Sequence, residues 1–395
     1  MSTVLAGELR PSARLLLGPG PSDVHPRVLK AMTTPLLGHL DPEFCAIMAE
    51  VQTMLRAVFA TQNPLTFAVS GTGMAGMECL VVNLIEPGDK MVVATHGYFG
   101  GRMVEIARRA GADLTVLEGT WGSCFTLEQL REVVQKVRPK VLGLVHAETS
   151  TGALQQHMAE IGQMCRELDV LLAVDAVTSL AVVPLEVDSW GLDAVFSGTQ
   201  KGLGCPPGLA PVTFSARAVA AIQARKTKVQ SWYLDMSEVM KYWGQERFYH
   251  HTAPISLVYA LREGLRVVLE EGLPARFARH QVNHRALKAG LAALGLEYVT
   301  QEHCRLPQLN AVRIPQGIDD LKVRQRLATE FGIEIGGGLG DFKGKVWRIG
   351  LMGYGSQARN VLAVLSALEK CLLGEGAKLT PGASLAAAGE VLATS

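Results

Sequence analysis

The sequence predicts an α/β protein with a mostly parallel sheet and a smaller C-terminal α+β domain. From residue 65 to residue 215, short apolar segments alternate with helical patterns. Continuous apolar runs of this kind are typical of parallel strands covered on both faces, and the intervening helices predict right-handed crossovers. After residue 257, long helical patterns lead into strands and helices in mixed order. At 395 residues, the chain has the length of two or three domains.

The first region supplies the predicted sheet. Its predicted strands are 65–69, 91–94, 114–117, 141–145, 170–174 and 194–196, and its predicted helices are 74–84, 101–110 and 158–167. Because ligands of such sheets bind beyond the carboxyl ends of the strands, polar residues at those ends are the candidates for function.

The second region is predicted to be the smaller domain. Its predicted helices are 256–271, 275–294, 319–331 and 358–373, and its predicted strands are 295–300, 311–314, 333–335 and 346–350. Residues 376–395 are rich in Ala, Gly, Ser and Thr and nearly uncharged, which predicts a loosely ordered, flexible tail. We therefore divide the chain into an extended N-terminal segment (1–21), a large domain (22–257), linking helices with the small domain (258–375) and the tail (376–395).

Composition excludes several classes of protein. The 38 Lys+Arg against 37 Asp+Glu give a formal net charge of +1, which argues against a protein that neutralises many phosphates of nucleic acid. A hydrophobic fraction of 48% excludes disorder, and no apolar run is long enough to span a bilayer. The seven cysteines are scattered at 45, 79, 124, 165, 205, 304 and 371. This spacing predicts neither a metal site nor a disulfide framework.

Lys201 and Asp175 are the most informative polar residues. Lys201 follows the strand 194–196 among small residues, where burial would lower the pKa of its amine and favour the neutral, nucleophilic form. Asp175 ends the apolar strand 170–174, and successive parallel strands bring both residues to one edge of the sheet. A buried carboxylate is costly unless it faces a cation, and the pyridinium nitrogen of pyridoxal phosphate is such a cation.

The stretch Ser70-Gly71-Thr72-Gly73-Met74 lies at a strand-to-helix turn. Backbone N–H groups at a helix start, with the helix dipole, favour an anion such as a phosphate. As a motif this turn is weak, because many α/β proteins have a Gly-rich turn there. The turn is informative only together with Lys201 and Asp175, because an anion site, a nucleophilic amine and a carboxylate are what pyridoxal phosphate requires.

With these residues in place, the sequence resembles the class V, fold-type I pyridoxal-phosphate-dependent aminotransferases, in particular the alanine–glyoxylate (serine–pyruvate) aminotransferases. The resemblance covers residues 15–373 and implies a seven-stranded, mostly parallel sheet in a large cofactor-binding domain. The motifs that carry it are Leu17-Gly18-Pro19-Gly20-Pro21, Ser70-Gly71-Thr72-Gly73, His146-Ala147-Glu148-Thr149-Ser150-Thr151-Gly152, Val174-Asp175-Ala176-Val177, Ser197-Gly198-Thr199-Gln200-Lys201, Tyr249-His250-His251-Thr252 and Arg348-Ile349-Gly350.

The resemblance implies catalytic and substrate-binding roles. Lys201 would form a Schiff base with the cofactor and carry the proton between the substrate Cα and the cofactor, in a ping-pong reaction. Asp175 would keep the pyridine nitrogen protonated. Arg348 would bind the substrate α-carboxylate through a bidentate pair, beside Gly20.

The resemblance also implies a cofactor-binding set for pyridoxal 5'-phosphate and an obligate homodimer with shared active sites. Thr72, Gly73 and Gln200 would bind the phosphate, Thr149 would contact the hydroxyl side of the ring, and Phe99 would stack on the ring. Met74 belongs to the same implied cofactor-binding set, and it stands where some relatives place a His. Tyr249 and Thr252 would reach the phosphate of the neighbouring subunit, which is why the implied dimer is obligatory.

The implied reaction moves an amino group from a small amino acid, alanine or serine, to glyoxylate or pyruvate, with no metal ion. The last residues, Ala393-Thr394-Ser395, are not a peroxisomal address, so a cytoplasmic location is expected. The alternatives are 2-aminoethylphosphonate–pyruvate transaminase or another class V enzyme and, more distantly, a cysteine desulfurase or a nicotinamide-dependent oxidoreductase. Arg348 has an alternative role as the partner of an acidic neighbour.

Overall fold

The computed structural model describes residues 7–244 and 247–394. Residues 1–6 of the predicted N-terminal segment and Ser395 of the predicted tail lie outside the described residues. The strands are β1 (Leu15–Leu16), β2 (Leu65–Ser70), β3 (Lys90–Thr95), β4 (Asp113–Glu118), β5 (Val141–Val145), β6 (Ala147–Glu148), β7 (Ala153–Leu154), β8 (Leu171–Asp175), β9 (Ala194–Phe196), β10 (Leu209–Phe214), β11 (Leu309–Arg313), β12 (Ile333–Glu334), β13 (Gly336–Gly337) and β14 (Val346–Gly350).

The helices alternate with these strands through the first half of the chain and dominate its second half. They are α1 (Pro26–Ala31), α2 (Pro42–Phe59), α3 (Gly73–Leu84), α4 (Tyr98–Arg109), α5 (Leu127–Val137), α6 (Met158–Glu167), α7 (Val187–Trp190), α8 (Ala216–Gln223), α9 (Met236–Trp243), α10 (Ile255–Glu271), α11 (Leu273–Ala293), α12 (Asp320–Phe331), α13 (Ala358–Gly374) and α14 (Ala383–Ala393). Within the described ranges, no helix is both long enough and apolar enough to cross a membrane.

The central sheet has seven strands in the order β2-β10-β9-β8-β5-β3-β4. β10 runs antiparallel to both of its neighbours, and the remaining neighbours run parallel. The predicted mostly parallel, seven-stranded sheet is therefore confirmed. β10 itself was not predicted, because it follows β9 without an intervening helix and so breaks the alternation that revealed the other strands.

Burial on both faces explains why the central strands are so apolar. Every residue of β5, β8, β9 and β10 is buried, and helices on either side complete one large hydrophobic core. α4 shows how a covering helix meets this core. Its buried residues Met103, Val104 and Ala107 recur at helical spacing, while its other face carries arginines.

The second half of the chain forms a separate, smaller hydrophobic core. A three-stranded sheet in the order β11-β14-β13 packs with α11, α12 and α13 around the fully buried Trp347. The N-terminal segment returns to this unit, since β1 pairs in parallel with β12 and Leu17 is buried in the smaller core. Gly350 N–H donates to the Leu17 carbonyl at 2.8 Å. These contacts hold the following residues, Gly18 to Pro21, between the two cores.

Two predictions for this second half were wrong. The predicted strand 295–300 makes only an isolated bridge, between Tyr298 and Val312. The predicted flexible tail contains α14, which packs against α11 and α13, with Ser384 buried and bonded to the Glu369 carboxylate. The prediction failed because many of the small residues in this segment are alanines, and alanine has the highest helix propensity.

Candidate active site

The sheet register brings the predicted catalytic residues to one edge. β5, β8 and β9 are parallel neighbours, in which Val145 lies opposite Asp175 and Asp175 lies opposite Phe196. The segment after β9 therefore places Lys201 near the carboxyl end of β8. Ser22 fixes this segment, because its hydroxyl donates to the Lys201 carbonyl at 2.8 Å and its backbone N–H donates to the Gln200 carbonyl at 2.9 Å.

Lys201 is buried, with only 8% of its surface exposed. Its Nζ donates a hydrogen bond to the Pro19 carbonyl oxygen. Burial and, to a smaller extent, the positive charge of Arg348 lower the pKa of the amine to about 8, against the opposing effect of Asp175. With this pKa about a tenth of the amine is neutral at pH 7, far more than for an ordinary lysine, and the neutral amine is the nucleophilic form.

Gly20 makes room for this amine. A Cβ on Gly20 would lie 2.5 Å from Lys201 Nζ, and the φ of Gly20 is +112°, a conformation that favours glycine. Gly20 therefore forms the wall against which Lys201 lies, and its substrate-binding role stays a prediction.

Asp175 is a buried carboxylate at the end of β8. One of its oxygens, Oδ1, accepts from Val177 N–H at 2.8 Å. Burial and, to a smaller extent, the nearby Glu148 raise the pKa of the carboxyl to about 7, against the lowering effects of the Val177 hydrogen bond and of Lys201. An added cation at this edge would remove much of the cost of ionising Asp175.

The Gly-rich turn leaves polar groups available for an anion. Thr72 is the N-cap of α3, yet its side chain makes no capping hydrogen bond. Gly73 is buried against Val177, since a Cβ there would lie 3.1 Å from Val177 Cγ2. Gln200 Oε1 is buried without a hydrogen-bond partner among the described residues. Met74, the second residue of α3, is 36% exposed.

Thr149, Glu148 and Phe99 form one wall of the site. The Thr149 hydroxyl is hydrogen-bonded to the Thr178 hydroxyl. Glu148 is fully buried, and its Oε2 accepts from Phe99 N–H and from Gly100 N–H, both at 3.1 Å, at the start of α4. Glu148 therefore fixes the backbone that carries the Phe99 ring, and an acidic group at a helix N-terminus is favourable.

Arg348 is the cation expected for a substrate carboxylate. It is 5% exposed, and burial lowers its pKa to about 10, while Glu148 opposes this shift. Its Nε donates to the Gly337 carbonyl at 2.8 Å and its Nη1 to the Thr149 carbonyl at 3.3 Å. Both acceptors are uncharged, and no ion pair of Arg348 is found in the described part of the chain. The alternative role as partner of an acidic neighbour is therefore not what the side-chain geometry shows.

Tyr249 and Thr252 are exposed on this chain, Tyr249 to 59%, whereas Lys201 and Asp175 are buried. The structure thus does not place these two residues inside the site formed by their own chain. Between them, His251 Nε2 lies 2.8 Å from Ser70 Oγ at the end of β2. Burial and the neighbouring His250 lower the pKa of His251 to about 4, so this imidazole is a neutral structural link.

Sequence reasoning missed Glu148 and Ser22 as residues that position the site. Glu148 lies within the family motif at residues 146–152. A charged residue between a buried strand and a turn was the local signal that could have indicated its role. The partners of Ser22 lie 178 and 179 residues away along the chain, so nothing local revealed its role.

The residues present fit pyridoxal 5'-phosphate. The buried, partly neutral Lys201 suits an aldehyde, and Asp175 offers a negative charge to a protonated ring. Thr72 lies at the Gly-rich turn without a capping hydrogen bond, and the orphaned Gln200 Oε1 lies beside Gly198, which neighbours Gly73 of that turn. Fold and site together define a pyridoxal-phosphate-dependent enzyme.

The comparisons with known proteins narrow this class. The family model described as aminotransferase class-V matches residues 15–342. The (S)-ureidoglycine–glyoxylate transaminase of Bacillus subtilis is 42% identical over 402 aligned positions, covering 97% of this chain and 96% of that protein. The alanine–glyoxylate aminotransferase of Drosophila melanogaster is 40% identical over 373 aligned positions, covering 93% of this chain and 95% of that protein. The crystal structure of alanine–glyoxylate aminotransferase from Nostoc sp. superimposes with a TM-score of 0.92 at 51% identity, covering 93% of this chain and 98% of that chain. The chain belongs to the class-V aminotransferase family, and its cofactor is pyridoxal 5'-phosphate.

We predict that Gly20→Ala impairs the enzyme through Lys201. The new Cβ would collide with Nζ at 2.5 Å and with Cδ at 2.8 Å, so the lysine must move. A displacement of about 1 Å at a reacting group costs up to about 100-fold in rate. The matched control is Gly88→Ala, which shares a positive φ of +88° but meets no atom within 4 Å. Equal kcat/KM values for the two variants would contradict the assigned role of Gly20.

We also predict a pH signature of Asp175 in the apoprotein. Its pKa is raised from 3.8 to about 7 on folding, so the folded state binds the proton more tightly than the unfolded state. The stability that this group contributes is therefore fully present below pH 3.8 and is lost as the pH rises towards about 7. In Asp175→Asn this component disappears. Denaturant unfolding of both proteins across that range measures it, and parallel pH profiles for parent and variant would refute the prediction.

Proposed function

We propose that this protein transfers an amino group from a small α-amino acid to glyoxylate. The observation that carries the proposal is the buried Arg348, which donates to two backbone carbonyls and forms no ion pair with the described residues. It lies close enough to Lys201 for its charge to lower the pKa of the amine. A buried guanidinium of this kind suits a small carboxylate, which accepts two parallel hydrogen bonds from its fork. The glyoxylate-using relatives support the same acceptor.

The cofactor, when bound, supplies an electron sink for negative charge at the substrate Cα. The chain's own groups do the remaining work. Lys201 Nζ would hold the cofactor and would take up or return the proton at the substrate Cα, for which a pKa of about 8 is well matched to neutral pH. Asp175 would accept a hydrogen bond from the protonated ring nitrogen, Phe99 would cover the ring, and Thr149 would contact its hydroxyl side.

The phosphate group is assigned to Thr72, Gly73 and Gln200. Thr72 has an unused side chain at the start of α3, and the buried Gln200 Oε1 needs a donor, which a singly protonated phosphate or an ordered water would provide. The start of α3 adds backbone N–H groups and a favourable dipole.

The buried Glu148 favours a monocarboxylic acceptor. Its charge acts on both Arg348 and Asp175, so it lies within electrostatic reach of the substrate position. A second carboxylate on the substrate would meet this like charge and the Asp175 carboxylate in a buried site. We therefore expect glyoxylate or pyruvate to be preferred over 2-oxoglutarate.

The donor is alanine, with serine as a further candidate carried by the resemblance. A second donor, (S)-ureidoglycine, is favoured by one specific observation, since the Bacillus subtilis transaminase named for it aligns with 97% of this chain. The alternative donor 2-aminoethylphosphonate carries a phosphonate in place of the carboxylate, and a guanidinium fork binds either oxyanion, so this donor is included in the comparison. Small donors differ by only about 1–3 kcal/mol in an apolar pocket, so a direct comparison is required.

We further propose a homodimer in which Tyr249 and Thr252 complete the site of the neighbouring subunit. Trp232, Tyr233, Phe248 and Tyr249 expose between 41% and 66% of their surfaces, and exposed aromatic patches of this kind mark interfaces. A monomeric holoenzyme in sedimentation equilibrium would refute this proposal. The cytoplasmic location expected from the sequence stays a prediction.

The test of the proposed function is a half-reaction screen. Holoenzyme is mixed with alanine, serine, (S)-ureidoglycine, 2-aminoethylphosphonate or glutamate, and conversion of the cofactor to its amine form is followed by absorbance. The return reaction is followed with glyoxylate, pyruvate and 2-oxoglutarate. We predict 2-oxoglutarate to be at least about tenfold poorer than glyoxylate in kcat/KM, because a second buried carboxylate lacks a partner.

Arg348→Lys provides the matching variant. A lysine cannot reproduce the bidentate fork, so KM should rise by about tenfold or more for every amino acid while the cofactor spectrum is kept. Arg359→Lys, at an exposed arginine, is the control. Glutamate and 2-oxoglutarate used as well as alanine and glyoxylate would overturn the substrate assignment and leave the aminotransferase class intact.

A further inference from the structure

Three side chains with metal-binding atoms meet away from the active-site residues. Cys124 lies in the loop between β4 and α5, and His303 and Cys304 lie in the turn of 3₁₀ helix Glu302–Cys304 in the smaller unit. The two thiols and the imidazole nitrogen all lie within 4.8 Å of one another. Cys124 and His303 are 179 residues apart in sequence, which is why the sequence predicted only scattered thiols.

The spacing of these atoms matches a tetrahedral ion. Cys124 Sγ and His303 Nε2 are 3.6 Å apart. Bond lengths of about 2.3 Å for zinc–sulfur and about 2.0–2.1 Å for zinc–nitrogen place a sulfur and a nitrogen about 3.5 Å apart, and two sulfurs about 3.8 Å apart, around one tetrahedral ion. Small side-chain adjustments would therefore bring the three atoms into one coordination sphere.

Both sulfurs are free thiols, and neither cysteine is part of a disulfide. Cys304 Sγ is buried and lies 3.5 Å from the Gln301 carbonyl and 3.6 Å from the Gly122 carbonyl, which are its hydrogen-bond acceptors. Cys124 is half-buried, so its Sγ can be reached from the side of the exposed His303.

We propose that Cys124, His303 and Cys304 form a binding site for a thiophilic divalent metal ion of the zinc class, with water as the fourth ligand. Two sulfurs and one imidazole select soft or borderline ions over Mg²⁺ or Ca²⁺. On binding, the protons of the two thiols leave to solvent, and both sulfurs bind the ion as thiolates. His303 is exposed, which gives the ion a route in from the surface.

Such an ion would join the two units of the chain. Backbone contacts already connect them here, because Gln301 N–H donates to the Gly122 carbonyl at 2.8 Å. The same loop holds the Ser123 carbonyl, 2.6 Å from His96 Nδ1, and His96 stands three residues before Phe99. The metal would therefore stabilise the contact between the two units, close to the residues that precede Phe99. It would take no part in the transfer reaction.

The test uses Co²⁺ as a spectroscopic probe of the tag-free holoenzyme, reduced with a phosphine and freed of unbound cofactor. Tetrahedral Co²⁺ bound by thiolates has strong bands in the red visible region, where the pyridoxal chromophore does not absorb. We expect these bands at one Co²⁺ per chain and their loss when Zn²⁺ is added. We also expect Zn²⁺ to raise the thermal unfolding midpoint of the holoenzyme.

Three variants and one control locate the site. Cys124→Ser, Cys304→Ser and His303→Ala should each weaken Co²⁺ binding at least tenfold, and the exposed His303 and half-buried Cys124 keep the test valid if the buried Cys304→Ser misfolds. Cys45→Ser is the matched control, because Cys45 is also a half-buried free thiol. A spectrum of octahedral Co²⁺, unchanged binding in Cys124→Ser, or a Cys124–Cys304 disulfide in the untreated protein that binds no ion after reduction would overturn the proposal.

Discussion

The site depends on one electrostatic arrangement, a lysine amine and an aspartate carboxylate that are both withdrawn from water at the same edge of a parallel sheet. Burial moves their pKa values towards each other, to about 8 for Lys201 and about 7 for Asp175. Neither group is then held permanently in its charged form near neutral pH. A cofactor that brings a positive ring nitrogen to Asp175 and an aldehyde to Lys201 converts this costly pair into a satisfied one.

The rest of the chain holds that arrangement in place from both of its cores. The larger core fixes β8 and β9, which carry the two residues, and the smaller core fixes Arg348 on β14. The N-terminal segment connects them, because Leu17 is buried in the smaller core while Pro19 and Gly20 contact the Lys201 amine. Glu148 acts in a similar way, since one buried carboxylate holds the start of α4 and acts on Arg348 and Asp175.

Whether a feature could be predicted from the sequence depends on how far apart along the chain the interacting residues lie. The parallel strands, the burial of Lys201 and its placement at the same edge as Asp175 could be predicted, because apolar runs and strand ends are local features. β10, α14 and the role of Glu148 could not be predicted in the same way. β10 has no helix before it, and the Ala-rich composition of α14 does not distinguish a helix from a loose tail. The role of Glu148 depends on its contacts with the start of α4, which is distant in sequence. The meeting of Cys124 with His303 depends on how the two units pack, which no local pattern encodes.

The most direct test of the central claim is the pKa of the Lys201 amine in the apoprotein. Only the neutral amine attacks an aldehyde, so the rate at which the apoprotein captures pyridoxal 5'-phosphate should rise with pH as Lys201 loses its proton. Stopped-flow absorbance across the alkaline range gives the midpoint. Desolvation of the amine predicts a midpoint near pH 8, whereas a midpoint near 10.5, the value of an ordinary lysine, would contradict the account.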